Sequence, residues 1–145
     1  MNIKVRGFAA FVSSLIMLTL ASIGATSFAQ APAKSIKDQL VGHWQLVSVS
    51  MNNTQPYGNN PQGVMFLDAE GHFSTIVLSA GDAKNISYFG TYIFDDADNT
   101  MTIHIDGTSR GNAEGHNQKR IVSLSGDQLT LATPSGTVKL TWKRS

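Results

Sequence analysis

Residues 100–107 alternate in polarity without a break. Met101, Ile103 and Ile105 point one way, and Thr102, His104 and Asp106 point the other. A period of two marks a strand with one buried face, and a helix of period 3.6 would scatter these residues. Seven more stretches read as short strands: 43–50, 64–67, 72–79, 87–94, 118–124, 128–133 and 137–143. Asp68-Ala69-Glu70-Gly71, residues 95–99, Gly126-Asp127 and Pro134-Ser135-Gly136 give short turns between them. Longer loops are expected at 52–62, 80–85 and 108–117. Eight short strands with mostly hairpin-length links predict a sandwich or a barrel. Eight antiparallel strands in sequence suit an all-β, up-and-down barrel, because closure removes the exposed edges. Such a barrel has room inside for packed side chains or for one small ligand.

The first 29 residues have a different pattern. Lys4 and Arg6 precede an apolar run from Phe8 to Ile23, and Ser27-Phe28-Ala29 follows with small residues at the two positions that a signal peptidase reads. This is the pattern of a cleaved secretory signal, and the apolar run is shorter than the ~20 residues of a membrane span. The expected organisation is a signal at 1–29, a linker and short helix at 30–39, and one barrel domain at 40–145. Ser35 is placed to cap the helix, with Asp38 at capping-box spacing. Ile36 and Leu40 lie four apart and share its face. The expected product is exported to the periplasm or beyond, with no membrane anchor, as a monomer or weak dimer.

Charge and cysteine content narrow the functional classes. The net charge is +1, and loss of Lys4 and Arg6 leaves 9 basic against 10 acidic residues. That balance offers no basic footprint for nucleic acid. It also offers no polybasic patch for an anionic membrane. There is no Cys, so there is no disulfide and no thiol nucleophile. His43, His72, His104 and His116 are scattered without ligand spacing, so no metal site and no cofactor are expected. Asp95, Asp96 and Asp98 lack the spacing and the distal Glu of a calcium loop. No Gly-x-Ser-x-Gly motif is present.

The barrel opens on Gly42-His43-Trp44-Gln45-Leu46-Val47-Ser48. Seven further elements follow in order: Pro56-Tyr57-Gly58-x-x-Pro61-x-Gly63; Gly71-x-Phe73-Ser74; Tyr88-x-Gly90-Thr91-Tyr92; Thr102-x-His104-x-Asp106-Gly107; Gly115-x-x-Gln118-x-Arg120; Gly126-Asp127-x-Leu129-x-Leu131-x-Thr133-Pro134; and Trp142-x-Arg144. Together they resemble the bacterial and fungal lipocalin-like domain family, from about Leu40 to Arg144. The resemblance implies a lipocalin- or calycin-like barrel that binds a small, mostly apolar molecule, and it implies no reaction. It also implies structural roles for Gly42, Trp44 and Arg144, with the Arg stacked on the opening Trp. Two departures stand out: Ile103 replaces the first His of a His pair, and Asp106 shortens an acidic side chain.

The leading expectation is a ligand site in the barrel mouth, under the 52–62 loop. Tyr57, Tyr88, Tyr92, His104, Gln118 and Arg120 are its candidate residues. In the alternative, a barrel enzyme of isomerase, cyclase or hydratase type, His104 moves a proton and Arg120 steadies negative charge. That reading needs the face of Thr102, His104 and Asp106 to meet the face of Gln118 and Arg120. Against it, Met101, Ile103 and Ile105 form the natural core face, which leaves His104 in solvent. A third reading is a filled barrel that uses its outer surface for a protein partner.

Overall fold

The computed structural model describes residues 34–81, 83–111 and 115–145. The expected signal, 1–29, lies outside the described residues. A short helix α1 (Ile36–Leu40) precedes eight strands: β1 (Gly42–Met51), β2 (Gln62–Leu67), β3 (His72–Leu78), β4 (Ile86–Asp95), β5 (Thr100–Thr108), β6 (Asn117–Ser125), β7 (Gln128–Ala132) and β8 (Val138–Arg144). The strands form one closed barrel in chain order, each antiparallel to the next, with β8 returning to β1.

Two bulges keep apolar residues facing inward along the long strands. In β1, Leu46 pairs with Trp142 and Ser48 with Thr141, so Val47 is an extra, exposed residue. Trp44 and Leu46 point inward before it, and Val49 after it. In β5, Gly107 pairs with Phe89 and Ile105 with Gly90, leaving Asp106 unpaired. A bulge sharpens local twist and bends its strand. These two sit on opposite sides of the eight-stranded ring.

One end of the barrel is plugged. Trp44, Trp142, Leu40 and Leu129 are 0% exposed, with Met101 and Phe73 packed in the same cluster. The Ser35 hydroxyl accepts from the Asp38 N–H at 3.1 Å and starts α1. The helix then brings Leu40 and Ile36 onto the core. The indole of Trp44 donates to the Leu40 carbonyl at 2.8 Å. The Arg144 guanidinium lies 4.2 Å from the centre of the Trp44 ring. It also donates to the carbonyls of Val41 and Gln39. Such a stacked cation contributes ~0.5–2 kcal/mol. Gly42, at φ +136°, passes directly beneath this Arg, and a Cβ there would lie 3.0 Å from its Nη1.

Candidate functional site

The other end of the barrel is open. It holds a cavity of about 300 Å³. Val49, Val77, Ile86, Ile105, Val138 and Leu140 are among its apolar walls, with Tyr57, Tyr88, Thr108, Arg110, Gln118 and Arg120 as its polar groups. A further space of about 20 Å³ lies deeper, bounded by Tyr88, Arg120, Met101 and Trp142. The barrel is therefore filled at one end and hollow at the other.

The mouth is roofed by loops that are tied to each other. Asn52 and Asn53 have φ of +49° and +62°. With Met51 and Thr54 exchanging both backbone hydrogen bonds, they form a tight two-residue turn of the kind that favours Asn. The segment beyond it carries Tyr57, 6% exposed, over the cavity. The Tyr57 carbonyl accepts from Ala80 at 2.9 Å, and the Pro56 carbonyl accepts from Ala83 at 3.0 Å. Arg110 donates to the Tyr57 hydroxyl at 3.1 Å and to the Lys84 carbonyl, joining three loops.

Tyr57, Tyr88, Gln118 and Arg120 thus meet around one cavity, whereas Tyr92 and His104 do not. Tyr92 is buried at the plugged end, where its hydroxyl donates to the Asp68 carbonyl at 2.6 Å. His104 is on the outer face. It sits 2.8 Å from the Asn117 side chain and 3.6 Å from Asp106, and its side chain is 46% exposed. The cause is the β5–β6 register. Gln118 pairs with Ile103 and Arg120 with Met101, so both share the inward face of the apolar residues. His104 pairs with Asn117 and looks out. The convergence of His104 with Arg120 that the acid–base reading required is absent. The other aromatics divide similarly: Phe73 fills the plug, while Phe66 and Phe89 are exposed on the outside. Sequence reasoning missed Arg110, which sits in a loop with no periodicity to give its side chain a direction.

Electrostatically the floor of the cavity is unusual. Burial lowers the Arg120 pKa, and the neighbouring Tyr88 opposes that shift. Burial raises the Tyr88 pKa, and the charge of Arg120 opposes it. Burial also raises that of Tyr92, reinforced by the charges of Asp68 and Glu70. An unfolded tyrosine loses its proton near pH 10.0, whereas these two hold theirs to higher pH in the fold. The folded state then binds more protons above pH 10, so stability is constant below that point and falls as pH rises through it. In alkaline denaturation curves, Tyr88→Phe is expected to flatten part of this decline. An unchanged slope would show that Tyr88 does not contribute.

The lipocalin-like domain family matches residues 82–145, which span β4 to β8. A DUF4847 family protein from Bacteroides vulgatus, known from its crystal structure, aligns with a TM-score of 0.50 at 15% identity. The alignment covers 72% of this chain and 92% of that one, and at that identity the likeness concerns the fold alone. No curated protein matches the chain. The family that the opening Gly42-x-Trp44 and the later motifs resemble is thus the one that β4 to β8 match: the lipocalin-like domain family.

Proposed function

We propose that this protein is an exported carrier that binds a small hydrophobic or amphipathic molecule in the barrel mouth. The observation that carries the reading is the cavity of about 300 Å³ between the Tyr57 roof and the Tyr88–Arg120 floor. Its mostly apolar wall with a few polar groups is the usual composition of a small-molecule site, and its volume is at the low end of the ~300–1,000 Å³ range. At the ~30 Å³ that a water-sized group occupies, it admits about ten heavy atoms. Burial of apolar area would supply most of the affinity, and the polar groups would fix orientation.

The test is native mass spectrometry of protein purified gently from its own host, with Trp fluorescence during titration of fatty acids and aromatic metabolites. A retained small mass and a saturable fluorescence change support the proposal. Both tryptophans belong to the plug, but Trp142 borders the deeper space below the cavity, whereas Trp44 lines neither space. The change is therefore expected to persist in Trp44→Phe and to vanish in Trp142→Phe. No retained mass and no response would overturn the proposal. Attention would then move to the outer face of β1–β3, where Val47, Val64, Phe66, Ile76 and Leu78 are exposed. The N-terminal mass of the same preparation tests export, with Gln30 expected as the first residue.

A further inference from the structure

We infer that the molecule held in the mouth is an organic acid: a carboxylate head on the Arg120 guanidinium with a short apolar tail among Val49, Val77, Ile105 and Leu140. The inference rests on the mouth being the binding site and adds the charge and direction of the ligand. Two arginines, Arg110 and Arg120, line the cavity, and no described Asp or Glu does. The ion pairs among the described residues involve Asp68, Asp98, Asp106 and Asp127, with His72, Lys119, His104 and Arg144 as partners. Neither cavity arginine takes part.

A cation drawn partly out of water without a counter-charge carries a desolvation cost, and proteins normally pair one or leave it fully in water. Arg120 stays inside because its register partner is Met101, on the core face. Its fixed contacts are neutral: the Gln118 side chain and the Lys119 carbonyl. They take two of the five N–H donors of a guanidinium, so three remain among the described residues. A guanidinium fork matches a carboxylate in geometry as well as charge. Tyr88 lines the same floor as a neutral hydroxyl, able to donate to a second carboxylate oxygen. Among the described residues Arg110 also keeps free donors, its buried Nε among them, but its bonds to Tyr57 and Lys84 hold it in the roof, so Arg120 is the head-group residue on the floor. The apolar walls rise from this floor toward the mouth, so the head lies inward and the tail outward.

The experiment titrates the full barrel with octanoate and with octanol, which share a tail length that the cavity admits and differ in the head. Calorimetry reads binding to the wild type, Arg120→Met and Arg120→Lys. Wild type is expected to bind octanoate at least about tenfold more tightly than octanol, the scale of a charge-assisted hydrogen bond. Arg120→Met is expected to lose that preference, and an unchanged circular dichroism spectrum and urea midpoint show that its barrel is folded. Arg120→Lys keeps the charge but not the fork, and should fall between. Equal affinity of wild type for the two, or a preference that survives Arg120→Met, would overturn the carboxylate inference and leave mouth binding intact. Binding of neither molecule would overturn both.

Discussion

Trp44→Ala is expected to destabilise the barrel by about 3–5 kcal/mol, the range for a large aromatic truncated in a packed core. The ring is 0% exposed. It holds three elements at once: β1 by its backbone, α1 through the 2.8 Å bond to the Leu40 carbonyl, and β8 through Arg144 stacked at 4.2 Å. Removing it leaves a cavity at the plug, deprives the Arg144 guanidinium of its surface, and releases the helix that closes that end. A domain of this size is stable by only about 5–15 kcal/mol, so the loss is a large share. Trp44→Phe keeps most of the apolar area but loses the hydrogen bond, and is expected to cost clearly less. Urea unfolding followed by circular dichroism measures both. A loss below about 1 kcal/mol for the Ala variant would show that α1 and Arg144 close the barrel without this ring.

The second large effect is expected at Gly90→Ala, by about 3 kcal/mol or more, beyond the usual cost of overpacking. Gly90 faces the bulge in β5. A Cβ at Gly90 would lie 1.9 Å from the His104 carbonyl oxygen and 2.9 Å from the Asp106 backbone nitrogen. Both are backbone atoms in a paired strand, so no side-chain rotation relieves the clash, and β4 and β5 must separate. Gly111→Ala is the control. Among the described residues nothing lies within 4 Å of a Cβ there, and its φ is not positive, so the effect should stay within about 1 kcal/mol. Equal midpoints for the two variants would mean that β4 and β5 yield at the bulge at little cost.

The eight strands were legible because inward residues of a small barrel are apolar and its turns carry Gly, Pro, Asn and Asp. Residues 72–79 and 137–143 show this directly: Phe73, Thr75 and Val77 face in, as do Val138, Leu140 and Trp142. Facing was harder to read in β6, whose first half is polar on both sides. Val122 and Leu124 point the face of Gln118 and Arg120 inward, but Ile121 points the other face inward, so the strand alone gives a mixed signal. The assignment comes from the register with β5, and a slip of one residue would reverse it. That is why His104 and Arg120 looked like neighbours. The bulge at Val47 is hidden for a related reason. Leu46, Val47 and Val49 are all apolar, so the sequence does not say which residue is the extra one. The Asn52-Asn53 turn had a visible signal, since adjacent Asn residues tolerate positive φ.

Pairing of β1 with β8 has a consequence for how the chain reaches its fold. The hydrogen bond from Arg144 to Val41 spans 103 residues. Neighbouring hairpins from β2 to β8 can form from local contacts, but every such assembly is an open sheet with two bare edges. Contacts this distant in sequence carry a loop-closure cost and slow folding. Bare edges recruit other chains. Until β8 arrives, the molecule is therefore a sticky ribbon rather than a weaker barrel, and loss of its final strand would turn a self-contained protein into one prone to aggregate.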